Sequence, residues 1–284
     1  TRYLDWPGLQ HAVVNLDDAL GPRMIARMRS TNPSVQVLGY TTEGAQADGL
    51  ALLSASDIRI AQQGTTFQLN TPYGSGPVRT QLIGRFNVSN VLAIAGVLFA
   101  RGMSWSTVVH LLEALVPVPG RMQQLGGQDG PLAVIDYAHT PDALAKALST
   151  LRPVAEARHG ELWCVFGCGG DRDPGKRPQM GVVAQQADHL LVTSDNPRSE
   201  EPAAIIEQIV AGLDDGGRKK LQVIEDRATA ILSAIRHAGK NDVILVAGKG
   251  HEDYQEIKGR RHAFRDADHA QLALATRATR FGGH

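Results

Sequence analysis

The chain has 284 residues, 43% of them hydrophobic, and its 29 Lys and Arg balance 29 Asp and Glu. Domains run to roughly 100–200 residues, so this length can bury one or two cores. Zero net charge offers no basic face to nucleic acid, no apolar run approaches the roughly 20 residues of a membrane helix, and Thr1-Arg2-Tyr3-Leu4-Asp5-Trp6 has no signal-peptide pattern, so a cytoplasmic protein is expected.

Strand and helix patterns alternate along the chain. Ala12-Val13-Val14-Asn15 predicts a strand, followed by a helix from about Asp18, and 34–39 predicts another strand. Residues 57–60, 65–69 and 78–80 read as short strands of an antiparallel patch, broken at Gly64 and at Pro72-Tyr73-Gly74. Residues 86–100 form a long apolar helix and 105–115 a second, with Ser104 or Ser106 as its cap. In Val116-Pro117-Val118-Pro119-Gly120 the alternate prolines favour extended backbone, which places a domain boundary there and divides the chain into 1–116 and 117–284.

Beyond the boundary, apolar strands are expected at 132–136, 162–166, 190–193, 221–224 and 243–246. Helices are expected from Thr140-Pro141 and from about Arg177, Pro202, Arg227 and Asp266. Short apolar strands separated by helices predict an α/β fold with a mainly parallel sheet, whose function gathers at the C-terminal strand ends. Four of those ends turn polar: Asp136-Tyr137-Ala138-His139, Gly167-Cys168-Gly169-Gly170-Asp171-Arg172-Asp173, Ser194-Asp195-Asn196-Pro197-Arg198 and Gly248-Lys249-Gly250-His251-Glu252.

Two local patterns are discounted. Gly167-x-Gly169-x-x-Arg172 lacks the third glycine of a dinucleotide fingerprint, and in Gly170-x-x-x-x-Gly175-Lys176-Arg177 an arginine replaces the Ser or Thr of a phosphate loop. Cys164 and Cys168, on a strand and its exit, would lie roughly 13 Å apart, too far for a disulfide, so two reduced thiols are expected.

Taken together and in order, Gly84-Arg85-Phe86-Asn87-Val88-Ser89-Asn90, Pro119-Gly120-Arg121-Met122 and the four strand exits resemble the Mur ligase family, most nearly its members that add meso-diaminopimelate. The resemblance implies that residues 1–116 are the C-terminal portion of a P-loop-type central ATPase domain and 117–284 a Rossmann-like domain. It implies ATP and Mg²⁺ as cofactors. The substrates would be UDP-MurNAc-L-Ala-D-Glu and meso-diaminopimelate, joined through an acyl phosphate in peptidoglycan precursor synthesis. The family's phosphate-loop pattern, its Mg²⁺ ligands and its carbamylated lysine have no counterpart in these residues. An N-terminal part of the same enzyme is therefore expected upstream, and this stretch alone is expected to be inactive.

Carried over residue by residue, the resemblance puts Asn87, Asn90, Arg121 and Asp136 at ATP, and Arg172, Asp195, Asn196, Pro197, Arg198, Gly248 and Glu252 at diaminopimelate. No catalytic or metal-binding residue is assigned. The residue chemistry agrees: an amide can read an adenine edge, and a guanidinium holds a carboxylate bidentately. Structural readings stand beside these: helix capping for the two asparagines, a turn carboxylate for Asp136, and an Arg172 network with Asp171 or Asp173. His139 reads as a loop-stabilising group. A lysine-adding ligase of the same family and a non-catalytic nucleotide or amino-acid binding module are the alternatives. Arg198 argues against lysine, which offers no second carboxylate.

Overall fold

The structure is a computed structural model that describes Leu4, Trp6 and residues 8–46, 48–61 and 63–281. It divides into two compact units, 1–116 and 117–284.

In the first unit, β1 (His11–Asn15), α1 (Gly21–Thr31), β2 (Gln36–Thr41), β3 (Ala51–Ala61), β4 (Gly64–Thr71) and β5 (Gly74–Thr80) precede α2 (Arg85–Ala100) and α3 (Trp105–Glu113). The sheet runs β1-β2-β3-β4-β5, parallel from β1 to β3 and antiparallel from β3 to β5. The expected helix starts at Gly21 rather than Asp18. The strand expected at 57–60 is the far end of a longer one, whose first half pairs in parallel with β2 (Leu38↔Ala51 to Thr41↔Ser54). A register shift between Ser56 and Arg59, with Asp57 at φ 51°, separates that half from the hairpin half and hides the strand's continuity from a periodicity reading. Apolar faces of Leu53, Phe67, Leu69 and Val78 pack under Val88, Val91, Leu92 and Phe99 of α2 and Val108 and Leu112 of α3. Ser104, not Ser106, caps α3, accepting from the Thr107 N–H at 3.3 Å.

The second unit contains β6 (Gln123–Gly126), β7 (Leu132–Asp136), α4 (Pro141–Ala157), β8 (Leu162–Phe166), α5 (Lys176–Ala184), β9 (His189–Val192), α6 (Pro202–Val210), α7 (Asp215–Lys220), β10 (Leu221–Val223), α8 (Arg227–His237), β11 (Val243–Ala247), β12 (Tyr254–Ile257), β13 (Arg260–Ala263) and α9 (Asp266–Phe281). Its sheet order is β10-β9-β8-β11-β7-β6, all parallel except the edge strand β6. Strands β7, β8 and β11 are buried along their whole length, as apolar runs covered on both faces must be. Thr140 caps α4 by accepting the Ala143 N–H at 3.3 Å, and Pro141 occupies its first turn. Parallel pairing brings the exits of β7, β8, β9 and β11 to one edge. Beside that edge, β12 and β13 form a separate hairpin, and Arg198 bridges to Ile257 of it.

Candidate functional site

Three expected motifs interlock at the end of β7. Gly120 has φ 68°, and a Cβ there would fall 2.1 Å from the His251 N. A Cβ on Gly250, at φ 55°, would fall 2.7 Å from the Tyr137 Cβ. Only glycine lets these backbones approach so closely. The contact places Arg121 over the Tyr137 ring, 4.6 Å from its centroid, with the His251 ring 5.5 Å away. Asp136 is 9% exposed. Its oxygens accept the Met122 N–H at 2.9 Å and the Ala138 N–H at 2.8 Å. Burial pushes this carboxyl above its usual range; the two N–H groups and Arg121 offset that only in part. Each carboxylate oxygen has two lone pairs, so Asp136 keeps acceptor capacity beside a guanidinium that lies on an aromatic ring. His139 makes the loop bond expected of it, Nδ1 to the Tyr137 carbonyl at 2.8 Å.

In the first unit, Asn87 and Asn90 share one face at the start of α2. Asn87 does not cap the helix. Its Nδ2 donates back to the Ile83 carbonyl at 2.8 Å, while its Oδ1 accepts from Asn90 Nδ2 at 3.3 Å. Gly84, at φ 102°, holds the cap position with no side-chain bond. Asn90 is exposed.

At the exits of β8, β9 and β11 the expected diaminopimelate residues converge. Gly248 has φ 116°, and a Cβ there would lie 2.8 Å from the Asp195 Oδ2, so glycine is required for the two loops to meet. Asp195 is 7% exposed, and among the described residues no donor hydrogen-bonds its carboxylate; Lys249 Nζ lies 3.6 Å from Oδ1. Burial pushes Asp195 up, Arg227 and Lys249 pull it down, and Glu252 and Asp266 push it up again; the net direction is upward. Glu252 uses Oε2 for Asn196 Nδ2 (2.8 Å) and Lys249 Nζ (3.1 Å), leaving Oε1 open. Asn196, one of the residues expected at diaminopimelate, is largely committed inside the protein. Its Oδ1 accepts from Lys249 Nζ at 3.1 Å and from the Glu256 N–H at 2.9 Å.

Gly169 brings the two arginines to one place: the space where its Cβ would sit is 2.9 Å from Arg198 Nη1 and 3.8 Å from Arg172 Cγ. Arg198 donates from Nη1 to the Gly170 carbonyl at 2.7 Å and faces Glu256 at 3.7 Å, which leaves further donors on its fork. Arg172 is exposed and bonds the Asp171 carbonyl at 3.0 Å, not the Asp171 or Asp173 carboxylate. Pro197 lies between Asn196 and Arg198, and its carbonyl is 1.9 Å from where a Cβ on Gly170 would be.

The structural arginine here is Arg177, which in the sequence marks the expected start of a helix and stands where a phosphate loop has Ser or Thr. It is 1% exposed and grips Glu200 with two 2.8 Å bonds, holding that carboxyl at about 2, with further bonds to Gln208 and the Gly169 carbonyl. Beneath the site, Arg227 and Asp266 form a fully buried bidentate pair at 2.7 Å, and Arg227 also donates to the Ala247 carbonyl. Both cysteines are free and buried. Among the described residues no group of three or more His, Cys, Asp or Glu side chains is placed to hold a metal ion.

This edge of an α/β sheet carries paired cationic and anionic side chains. Residues 6–98 match the Mur ligase middle domain and residues 120–250 the Mur ligase glutamate ligase domain. The chain belongs to the Mur ligase family. It is 63% identical over 273 residues to the UDP-N-acetylmuramoyl-L-alanyl-D-glutamate–2,6-diaminopimelate ligase of Janthinobacterium sp. (strain Marseille), covering 96% of this chain and 54% of that one. To the enzyme of the same name from Ralstonia nicotianae it is 51% identical, covering 97% and 54%. A solved structure of a ligase of that name superposes with a TM-score of 0.67 at 38% identity, covering 97% of this chain and 55% of the other. The chain thus spans about half the length of the curated relatives it matches.

Proposed function

We propose that the chain forms the amino-acid-binding part, and a portion of the nucleotide-binding part, of a ligase joining meso-diaminopimelate to UDP-MurNAc-L-Ala-D-Glu with ATP hydrolysis. The observation that carries this reading is the pairing, at one sheet edge, of two arginines having donors to spare with two incompletely bonded carboxylates. Diaminopimelate is a double zwitterion, so each of its ends presents a carboxylate and an ammonium. Asp195 and Glu252 suit an ammonium, Arg198 and Arg172 a carboxylate. Asn87, Asn90, Arg121 and Asp136 are proposed as contacts of ATP. In this reading the chain positions the attacking amine, and holding reactants in register supplies several kcal/mol of the barrier, on the order of 7 or more in well-oriented cases. Mg²⁺, when bound, would stabilise charge during phosphoryl transfer. Lacking a phosphate-loop pattern, the chain alone should not release phosphate from ATP.

The test is kcat/KM for diaminopimelate and for lysine in the complete ligase, with and without Arg198→Ala. A site built around a polar group rejects an analogue lacking its partner by about 10⁴-fold. The variant should lose most diaminopimelate activity, keep its ATP affinity, and narrow that gap. Unchanged discrimination would remove Arg198 as the selector, and preference of the parent enzyme for lysine would favour the lysine-adding alternative.

A further inference from the structure

Lys249 sits in a Gly-Lys-Gly turn, a setting that reads as an exposed loop, yet it is 0% exposed. Positive φ at Gly248 (116°) and Gly250 (55°) turns the chain so that its side chain runs inward. A buried ammonium is expensive without partners. Its partners are Asn196 Oδ1 and Glu252 Oε2, each at 3.1 Å, Asp195 Oδ1 at 3.6 Å, and the Tyr254 ring 5.5 Å from Nζ. These belong to the β9 exit, to its own loop and to the β12 hairpin, so one side chain ties together the β9 and β11 exits and the hairpin beside them.

We propose that Lys249 is a positioning residue of the amino-acid site, fixing the Asn196 amide and balancing the Asp195 and Glu252 carboxylates so that they accept a substrate ammonium. The inference rests on the diaminopimelate reading and adds a residue to it. The amide is fixed because its Oδ1 is claimed by Lys249 and the Glu256 N–H, which forces Nδ2 toward Glu252. The acids of the cluster are Asp195, Glu252, Asp266 and Glu256, and its bases are Lys249, Arg227, Arg198 and Arg261, the last lying 4.3 Å over the Tyr254 ring. Cys168, which also faces Asp195, is pushed up to about 12 by burial and stays neutral, and Tyr254 contributes only its ring. Without Lys249, two carboxylates would confront each other and one would take up a proton, competing with the ligand.

The experiment is the affinity of this chain for meso-diaminopimelate, by calorimetry across pH, in the wild type and in Lys249→Met, with thermal melts to establish folding. Affinity should fall at acid pH as the carboxylates protonate. In Lys249→Met the midpoint of that fall should move up by about one unit, which makes the loss about tenfold at the acid end and smaller toward alkaline pH. A folded Lys249→Met with the wild-type midpoint overturns the inference and leaves the functional reading standing. A wild-type chain that binds no diaminopimelate overturns the functional reading, and this inference with it. If Lys249→Met does not fold, Glu252→Gln decides: removing that charge leaves Lys249 paired with Asp195, so the midpoint should move down. An unmoved midpoint there overturns the inference.

Discussion

The two ends of the second unit's sheet are built from the same residue types and do opposite things with them. At the N-terminal strand ends the acids Asp242 and Asp188 are consumed by the fold. Asp242 accepts the Glu161 N–H (2.9 Å), the Gly239 N–H (2.7 Å) and the Trp163 indole N–H (2.8 Å). Asp188 accepts the Leu162 N–H at 2.8 Å and pairs with Arg152, and Arg158 donates to four backbone carbonyls: Gly127, Gly130, Lys240 and Asn241. At the C-terminal ends, Asp195 receives no hydrogen bond from the described residues, Glu252 has one open oxygen, and Arg172 reaches only its neighbour's carbonyl. A closed network holds a fold together. Charges held in place yet incompletely bonded are what a polar ligand completes.

The largest expected effect breaks the closed end. Asp242→Ala strands two backbone donors and an indole N–H, and buried groups left unpaired cost about 1–3 kcal/mol each without adding fully. A loss of about 3–4 kcal/mol is expected in denaturant unfolding, with diaminopimelate affinity unchanged where the protein remains folded. Lost affinity at wild-type stability would mean that this end, too, serves the ligand.

A smaller effect compares two acids on either side of β9. Burial pushes Asp188 up, but the Arg152 guanidinium and the Leu162 N–H outweigh it and hold the carboxyl below its usual range, whereas Asp195 is held above it. A lowered acid contributes stability above its unfolded pKa of about 3.9 and loses it as pH falls through the folded value. A raised acid works the other way: its contribution is complete below about 3.9 and is lost as pH rises through the folded value. Relative to wild type, Asp188→Asn should therefore be penalised most at neutral pH and least in acid, and Asp195→Asn should gain on wild type as pH rises. Parallel pH dependences in the two unfolding series would break the contrast between the ends.

Much of this architecture was legible in the sequence because apolar strands and their polar exits are local signals. The central strands β7, β8 and β11 stand where their Val-, Ile- and Leu-rich runs put them. The edge strand β6 reads Gln-Gln-Leu-Gly and exists through pairing with β7, and α7 reads as a polar loop. The β12–β13 hairpin did carry a signal. Lys258 and Gly259 both have positive φ, and a glycine in a two-residue turn between matched segments is the pattern to seek. At the site, motif order delivered the loops but not which side chains face a ligand. The commitment of Asn196, the burial of Lys249 and the grip of Arg177 on Glu200 depend on loops far apart in sequence meeting in space.

The central claim is that one end of this sheet binds an amino acid and the other only holds the fold. Chemical-shift mapping of the isotopically labelled chain during meso-diaminopimelate titration tests it most directly. The account predicts saturable shifts at Asp195, Asn196, Arg198, Gly248 and Glu252, with the Trp163 indole N–H, bonded to Asp242 at the opposite end, unmoved. Shifts centred on Trp163 and Asp188, or none at the β9 and β11 exits at saturating ligand, would contradict it.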